Sequence, residues 1–577
     1  METQTTYATP DKHIISSLTK ALNCHPVVAG LLADRGITDP DEARFFLNPD
    51  FSRLKNPFDM KDMLKAVKRI YTALINQERI LVFGDFDADG VTAVSLIYEF
   101  LSMIEAAPAW YIPHRTKEGY SLQPDHVKMA VDMDVDLIIT VDCGITAHEA
   151  VAAASLEDID VIVTDHHEPS DTLPQAVAVI DPKQADCNAG LDYLAGVGVA
   201  FYLVMALRKF FRDQGVWQQF PEPSLVNFLD LFTIGTMGDM VPLIKENRAL
   251  CVAGLKQIIQ GNRPGIRAMA RAAHLDLNRM DADDISFKLI PRINAAGRIS
   301  HARICVTHLT SRDPAQADAG ANLLEELNKK RQCIEREIVQ EIETRIELDP
   351  GLLDDRLLVM WDTHWEQSVL GIAASRLSKK YICPVILLSL NEAGQAVGSC
   401  RSVNHINIHR ALTENAHLLE KFGGHAMAAG LTLKKEQLAH LKPALVQHLE
   451  TQYTETDFLS RIKVDAELKL SDMTIELATA IESMMPFGTA NPEPVFLARN
   501  LWVASSHIIG TCHRKMILKG ESGTTQVEAL HFNLPDTTNL PNFYSRIIFK
   551  LKVNKFKPNS VQIILQNLEF PAENQRK

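Results

Sequence analysis

Three aspartates stand at alternating positions in the segment GDFDADG, directly after the apolar run ILVF. They are Asp85, Asp87 and Asp89. Carboxylates this close repel one another unless a cation neutralises them, so such a cluster is typical of a site for a hard metal ion. A polar turn with solvated acids is the weaker alternative, because apolar runs flank the segment. The sequence therefore predicts a metal site at residues 85–89.

The same segment begins with the DxDxDG pattern of an EF-hand calcium loop. That loop requires a bidentate glutamate at its twelfth position and a helix in front of it. Here Leu96 holds the twelfth position, and a strand-like run precedes the loop. The EF-hand interpretation therefore fails.

Further potential ligands follow two more strand-like runs. Asp142 comes after LIITV, and Asp165, His166 and His167 come after VIVT. Ligands of open α/β sheets bind beyond the carboxyl ends of the strands, so these side chains can converge with the first three aspartates. Mixed aspartate and histidine ligands suit Mn²⁺ well and Mg²⁺ less specifically. Asp239, in the apolar stretch LFTIGTMGDMVPL, is a further candidate, with a helix N-cap or a buried ion pair as equally good alternatives.

Apolar strand-like runs alternate with helical segments between residues 79 and 182. This alternation predicts a mainly parallel sheet that is covered by helices on both faces. A long amphipathic helix follows near 313–348, and then a second α/β pattern that ends in the glycine-rich FGGH loop. Beyond about 455, short alternating segments such as IFKLKVNK predict a small β-barrel with one basic face.

We therefore expect an α/β multidomain protein with five segments. They are a helical lead-in (1–55), a parallel-sheet catalytic domain (56–311), a connecting helix (312–350), a smaller α/β domain (351–454) and a nucleic-acid-binding barrel (455–577).

The composition is that of an ordinary globular protein, with 46% hydrophobic and 23% charged residues. The net charge of −13 counts against a nucleic-acid partner, but local basic surface and bound metal ions decide phosphate affinity. The sequence has no apolar stretch long enough to span a membrane and no leader-like N-terminus. We therefore expect neither a membrane span nor a secretory signal. Nine scattered cysteines without a CxxC pair favour the cytoplasm and argue against disulfides and structural zinc.

Basic and glycine-rich segments could hold the phosphates of a substrate. The candidate arginines are Arg115, Arg292, Arg298 and Arg401. A surface or interdomain salt bridge is the ordinary alternative for each of them. Gly424 and His425 in the FGGH loop would permit a close approach of a phosphate. Lys550 and Lys552 predict a groove for a single strand on the barrel, against the alternative of a solvated barrel edge.

The motifs GDFDADG, VDCG, VTDHH and GTMGDMVPL, in this order, resemble those of the DHH phosphoesterase family. The resemblance continues through IPHRTKEGYSL, LAGVGVAFYL, PRINAAGRISHA, GSCRS, FGGHAMAAGL and PFGTANPEPVF. Over nearly the whole chain it is specific to the bacterial branch that degrades single-stranded DNA. The resemblance implies a DHH domain, a long connecting helix, a smaller DHHA1 domain and a C-terminal OB-like β-barrel.

Residue by residue, the resemblance implies two divalent metal ions, Mn²⁺ or Mg²⁺, as cofactors. The implied ligands are Asp85, Asp87, Asp89, Asp142, His166 and Asp239, with Asp142 as the bridge. His167 would contact the scissile phosphate or the second metal shell, and Asp165 would orient the histidines. The implied terminal-phosphate pocket contains Arg298, Ser399, Arg401 and His425. Departures from the usual family residues at His114, Ser121, Asp181, Gln184 and Ala490 leave every ligand position intact.

The implied activity is 5′-to-3′ exonuclease action on single-stranded DNA that releases 5′-mononucleotides during recombination and repair. A single-strand-binding protein and a helicase would be partners, and nothing in the sequence calls for more than a monomer. One alternative is an oligoribonuclease or other hydrolase of small phosphodiesters within the same family. Another is an inactive DHH scaffold of a replication complex, although such scaffolds lack part of the acid set that is complete here.

Overall fold

The computed structural model describes residues 3–521, 523, 525–534 and 540–569. The predicted lead-in therefore begins, and the predicted barrel domain ends, outside the described residues. Among the helices of the described residues, none has the length and apolar character that crossing a bilayer requires. All nine cysteines are free thiols in this structure.

The N-terminal segment contains one strand as well as helices. Its elements are β1 (Thr3–Tyr7), α1 (Lys12–Leu22), α2 (Pro26–Asp34) and α3 (Pro40–Leu47). Asp39 caps α3, because its side chain accepts hydrogen bonds from two amides of the first turn. The prediction of a purely helical lead-in missed β1, whose polar sequence TQTTY has no apolar periodicity. This strand is formed by parallel pairing with residues 460–464, far along the chain.

A parallel sheet lies at the centre of the catalytic domain. The elements of this part are α4 (Met63–Ile75), β2 (Ile80–Gly84), α5 (Ala88–Ser102), β3 (Ala109–Tyr111), α6 (Pro124–Asp132), β4 (Leu137–Val141), α7 (His148–Leu156), β5 (Asp160–Thr164), β6 (Ala178–Ile180) and α8 (Gly196–Asp213). The strand order is β3-β2-β4-β5-β6, with every pair parallel. Helices α4, α5 and α8 share one core with one face of the sheet, and α6 and α7 share another core with the opposite face. The predicted doubly covered sheet is confirmed.

A helical region completes this domain. Its elements are α9 (Leu229–Gly238), α10 (Lys245–Gln260), α11 (Pro264–Ala272), α12 (Ala282–Asp284), a π-helical turn (Ile285–Leu289), α13 (Ile290–Ile299) and α14 (Arg303–Thr310). Arg263, just before α11, forms buried ion pairs with Glu99 of α5 at 2.6 Å and Asp230 of α9 at 2.7 Å. These pairs fix the helical region against the helices that cover the sheet.

A long helix leads into the smaller domain. The elements are α15 (Pro314–Leu348), β7 (Leu358–Asp362), α16 (Gln367–Tyr381), β8 (Val385–Leu390), β9 (Gln395–Arg401), α17 (Ile408–Glu414), β10 (Lys421–His425), β11 (Ala428–Lys434) and α18 (Leu438–Gln452). The sheet order is β10-β11-β9-β8-β7, in which only β7 and β8 are parallel. The glycine-rich segment that we expected to be a loop is a hairpin of β10 and β11, because both of its arms pair.

The C-terminal segment is the predicted barrel. Its elements are β12 (Ser460–Val464), β13 (Ala466–Glu467), α19 (Ile475–Glu482), β14 (Phe496–Ile509), β15 (His513–Lys519), β16 (Gln526–His531), β17 (Phe543–Val553) and β18 (Val561–Glu569). The sheet runs β14-β15-β16-β18-β17, and β17 pairs back onto β14, which closes it. Closure removes the exposed strand edges that an open sheet would leave.

The lead-in and the barrel share one apolar core. Leu18 and Phe46 of the lead-in belong to the same buried cluster as Ile481 of α19 and Phe549 of β17. Arg248 of α10 also donates to the backbone carbonyls of Phe46 (2.8 Å) and Met484 (2.7 Å). The two ends of the chain therefore fold as one unit against the catalytic domain.

Deletion of residues 455–577 alone should give an aggregating protein, because α1–α3 would lose the partner of their apolar face. Each fully buried leucine or phenylalanine that becomes exposed costs roughly 1.5–3 kcal/mol. Deletion of 1–55 together with 455–577 should restore much of the solubility, which light scattering of the two purified fragments would measure. A monodisperse, folded single-deletion fragment would contradict the shared core.

Candidate metal centre

The aspartate-rich loop joins β2 to α5, at the strand end where the sequence predicts it. Asp87 caps α5, since its side chain accepts from the amides of Asp89 (2.9 Å) and Gly90 (3.2 Å). The amide of Ala88 donates to the side-chain oxygen of Asn294 on α13 at 2.8 Å. The loop is therefore held both by its own helix and by a helix from about 200 residues further along the chain.

Asp142 follows β4 with a left-handed backbone, at φ 59°, which aspartate tolerates better than most residues. Its side chain is buried against Gly196, the first residue of α8. A Cβ at Gly196 would lie 2.5 Å from the Cβ of Asp142 and 2.6 Å from its Oδ1. The amides of Gly196 (2.6 Å) and Val197 (2.8 Å) also donate to Asp89. The N-terminus of α8 thus fixes two of the predicted ligands.

His166 lies at the centre of the cluster. Its Nε2 is 3.1 Å from Asp142 Oδ1, 3.6 Å from Asp239 Oδ2 and 3.8 Å from Asp89 Oδ2. Burial and the neighbouring charge of His167 lower the pKa of His166 to about 3. The imidazole is therefore neutral at physiological pH, which is the form that binds metals.

Asp239 comes directly after the last turn of α9, and its amide donates to the carbonyl of Gly235 at 2.9 Å. The N-cap alternative for this residue is wrong, because Asp239 ends a helix instead of beginning one. Its carboxylate faces His166 across the cluster. The chain brings it there through the helical region that follows the sheet, not through a strand end.

The carboxylates of the cluster are strongly perturbed. Burial, together with neighbouring carboxylates, raises the pKa of Asp89 to about 7 and that of Asp239 to about 8. The same causes raise the pKa values of Asp85 and Asp142 well above their usual range. Oδ1 of Asp85 is buried without a hydrogen-bond partner among the described residues. A cation would relieve this repulsion, so the donor set fits a metal centre.

Three groups of potential ligand atoms within this cluster each lie within 4.8 Å of one another. Two of them share no residue: Asp85, Asp87 and Asp142 form one, and Asp89, His166 and Asp239 form the other. The third group, Asp142, His166 and His167, overlaps both. Every predicted metal ligand belongs to one of these groups. Oxygen atoms with one imidazole nitrogen are suitable donors for Mn²⁺.

Asp165 and His167 lie next to the cluster and are joined to each other by a hydrogen bond. Asp165 accepts from the backbone amides of Ile145 (2.9 Å) and His166 (2.7 Å), and from Nδ1 of His167 (2.7 Å). Burial acts to lower the pKa of His167, but the hydrogen bond and charge of Asp165 outweigh it and raise the pKa to about 9. The hydroxyl of Tyr120 lies 3.1 Å from Nδ1 of His167. His167 is therefore a fixed cation beside the carboxylates.

Three of the predicted arginines converge next to the aspartate loop. Arg115 lies over the ring of Phe86, 4.4 Å from its centroid, and Phe86 is itself a residue of that loop. Burial and the charges of Arg115 and Arg401 lower the pKa of Arg298 to about 9. Arg298 and Arg401 each donate to a backbone carbonyl at 2.7 Å. These mutually repelling cations form a suitable site for an anion.

The other predicted phosphate-binding residues lie on the sheet beside Arg401. Ala428 of β11 pairs with both Arg401 and His425, so the side chains of these two residues share one face. Ser399, two residues before Arg401, points to the same side. Gly424, at φ 133°, lies in the left-handed half of backbone space next to His425.

Gly371, on α16, allows this face to pack closely on the helix. A Cβ at Gly371 would lie 2.7 Å from Nη2 of Arg401 and 3.4 Å from Oγ of Ser399. Arg292, which shared the sequence signal, lies in an ion pair with Glu325 at 2.6 Å instead. The salt-bridge alternative therefore holds for Arg292.

The two barrel lysines lie apart from this cluster. Lys550 is 2.5 Å from Glu493, and Lys552 is 3.0 Å from both Glu493 and Asp283 of α12. They are half-buried where the barrel meets the catalytic domain. Their binding of nucleic acid stays a prediction, and a phosphate would have to compete with these carboxylates.

Sequence reasoning missed three residues that shape the centre: Gly196, Asn294 and Tyr120. Each lies in a segment that carries the family resemblance, which was the only signal available for them. Their contacts join parts of the chain that are up to 206 residues apart, and local patterns do not reveal such contacts.

Family comparisons agree with this architecture. The model for the N-terminal domain of the DHH family matches residues 79–236, a DHHA1 domain model matches 354–451, and a RecJ OB domain model matches 464–567. The fold and the centre thus define a DHH-class protein.

Two bacterial proteins named single-stranded-DNA-specific exonuclease RecJ are similar over almost the whole chain. The Bacillus subtilis (strain 168) protein is 36% identical, across 95% of this chain and 68% of its own length. The Escherichia coli (strain K12) protein is also 36% identical, across 94% of this chain and 96% of its own. The chain belongs to the RecJ family, as its motifs predict.

Solved structures of RecJ from Thermus thermophilus share the fold. The complex with Mn²⁺ has a TM-score of 0.82 at 26% identity, covering 99% of this chain and 80% of that one. The complex with Mg²⁺ has a TM-score of 0.76 at 24% identity, covering 98% of this chain and 79% of that one.

Manganese binding should strengthen as the pH rises from about 6 to about 8. Asp89 and Asp239, with pKa values of about 7 and about 8, hold protons at low pH, and a cation must displace those protons. Calorimetric titration in buffers of different ionisation enthalpy would measure both the Kd and the protons released. An affinity that stays constant across this range would show that the carboxylates do not compete with protons for the ion.

The Gly196→Ala variant should lose most Mn²⁺ affinity while keeping its fold, because the new methyl group would displace Asp142. Gly30→Ala is a matched control, since a Cβ there meets only side-chain atoms, the nearest at 3.8 Å. Calorimetry would report Mn²⁺ binding, and thermal unfolding would report the fold. Wild-type affinity in Gly196→Ala would contradict the close contact.

Proposed function

We propose that the protein is a single-stranded-DNA-specific 5′-to-3′ exonuclease that acts in DNA recombination and repair. It hydrolyses phosphodiester bonds with two divalent metal ions, Mn²⁺ or Mg²⁺, and releases 5′-mononucleotides. The observation that carries the proposal is the position of the arginine cluster beside the aspartate loop, with Arg115 over Phe86. A cationic pocket next to a metal centre would hold the terminal phosphate while the adjacent diester is cut.

The two groups of ligand atoms that share no residue support a two-ion arrangement. Asp85 and Asp87 would hold one ion, Asp89, His166 and Asp239 the other, and Asp142 would bridge the two. Bound ions of this kind lower the pKa of water and stabilise the charge that develops on a phosphate. Hydrolysis by metal-activated water requires no serine or cysteine nucleophile.

The protein's own groups would bind and orient the substrate. His167, kept protonated by Asp165, would donate a hydrogen bond to a non-bridging oxygen of the scissile phosphate. Arg298, Ser399, Arg401 and His425 would hold the 5′ end, and the number of nucleotides that fit between that pocket and the metal centre would set the product length. Polarity and product are supported by the family relationship.

Several predictions from the sequence extend this proposal. A monomer in the cytoplasm, assisted by a single-strand-binding protein and a helicase, is the expected setting. The boundaries between the five segments, after residues 55, 311, 350 and 454, likewise remain proposals. No membrane association is proposed.

Asp142→Asn should lower nucleotide release from a 5′-labelled single strand by roughly 100-fold or more, because a bound ion contributes several kcal/mol to transition-state stabilisation. Asparagine suits the left-handed backbone at this position better than alanine does. Asp125→Asn, at an exposed carboxylate of the same domain paired with Lys128, is the matched control.

The same assay separates the alternatives when 5′- and 3′-labelled strands, dinucleotides and duplexes are compared in Mn²⁺ and Mg²⁺. Hydrolysis confined to dinucleotides would favour a small-phosphodiester hydrolase. No hydrolysis of any substrate would favour a scaffold. Undiminished activity of Asp142→Asn would refute the ligand assignment.

A further inference from the structure

A cavity of about 670 Å³ opens beside the metal centre, between the catalytic domain, α15, α16 and the barrel. Its lining includes Met240, the residue after the candidate ligand Asp239, and Arg298 of the arginine cluster. The cavity therefore reaches the arginine cluster at Arg298 and the immediate neighbour of Asp239. Its volume is in the range of pockets that hold small organic groups, about 300–1,000 Å³.

Apart from Arg298, which belongs to the arginine cluster, and Asp283, which pairs with Lys552, the charged side chains of the cavity wall pair with one another. Arg331 pairs with Glu335 at 2.5 Å, and Lys550 pairs with Glu493 at 2.5 Å. Most of the remaining wall is apolar, including side chains such as Ile290. Away from Arg298, such a wall is a poor site for phosphates and a suitable one for the faces of nucleobases.

Phe287 stands out on this wall, because 76% of its surface is exposed. It lies in the π-helical turn, where Ile285 and Leu289 on either side are fully buried and anchor the backbone. Single π-helical turns occur frequently at functional sites. Met240 is the other exposed apolar side chain of the cavity, at 73%. Because the backbone of this turn is fixed and the ring is exposed, Phe287 can stack on a flat ligand.

We propose that this cavity binds the unpaired bases next to the scissile phosphate and that Phe287 stacks on one of them. The inference rests on the proposed function, whose substrate is a single strand. Every base presents a π face, so such stacking tolerates any sequence. Paired bases in a duplex are stacked between their neighbours and cannot insert, so Phe287 would contribute to the selection of single strands.

The decisive measurement is the affinity of the full-length protein for a fluorescent single strand of about 12 nucleotides, a length within the usual site sizes of single-strand binders. EDTA is present so that the strand stays intact. Phe287→Ala should weaken binding roughly 5- to 100-fold, as the loss of one stacked base predicts. Phe287→Trp should retain affinity, and Phe287→Leu should lose it as alanine does. Phe51→Ala, at another exposed phenylalanine, should bind as the wild type does.

Salt dependence distinguishes stacking from charge. The slope of log Kd against log salt concentration should be unchanged in Phe287→Ala, whereas Arg401→Ala should flatten it. A flattened slope in Phe287→Ala would overturn the stacking assignment. Thermal unfolding of Phe287→Ala should match the wild type, because the ring is exposed.

Abasic strands provide the second test. Wild-type protein should bind a strand without bases near its 5′ end as weakly as Phe287→Ala binds the normal strand, and the variant should lose nothing further. Equal losses from the variant on both strands would overturn the proposal. So would a concentration-dependent dimer that Phe287→Ala abolishes, since the ring would then serve a second copy.

The cavity proposal and the proposed exonuclease function can be refuted separately. If the wild type degrades single strands and Phe287→Ala binds them equally well, the cavity proposal is overturned and the exonuclease stands. If the wild type binds strands through Phe287 but hydrolyses none, base binding is supported and the proposed function is overturned.

Discussion

The repulsion among buried carboxylates at the end of the parallel sheet is the constraint on which the rest of the structure depends. Desolvation and mutual charge keep Asp85, Asp89, Asp142 and Asp239 from ionising together in the absence of a cation. The fold opposes this tendency with rigid anchors: the N-termini of α5 and α8, the left-handed backbone of Asp142 and the hydrogen bond from Ala88 to Asn294. Such anchors hold the carboxylates in the arrangement that metal binding requires, at the expense of local stability.

How far the sequence predicts this site depends on the kind of contact. Asp85, Asp142 and His166 were predictable because parallel strands end at one edge of a sheet, so residues just after such strands must lie close together. Asp239 was identified from its incongruous charge, yet only the structure excluded the N-cap alternative, because Asp239 follows the last turn of a helix. Gly196 gave no such signal. A glycine required by the approach of a distant aspartate resembles any other helix glycine.

In the barrel, the sequence predicted the strand but not what its polar face contacts. Alternation of Lys550 and Lys552 with apolar residues predicted the strand and its two faces, and both are present. Alternation cannot tell whether a polar face meets water, DNA or another domain. Here it meets Asp283 and Glu493. Likewise, β1 has no pattern of its own, because a distant strand at 460–464 provides its partner. Long-range pairing, more than local propensity, limited the prediction of this region.

The distribution of charge explains how a chain with a net charge of −13 can accommodate a polyanion. Part of the acidic excess is concentrated where it would hold cations, and Glu493 and Asp283 are already paired with barrel lysines. Positive charge is concentrated instead in the small region of Arg115, Arg298 and Arg401, where the cations repel one another. The cavity wall beyond Arg298 is mainly apolar, and its charged side chains lie in ion pairs. A strand would thus be held electrostatically at its terminal phosphate and through its bases beyond it, and only an unpaired strand presents both. The protein would then distinguish single strands from duplexes by this arrangement of charged and apolar surface, without a contact specific to any base.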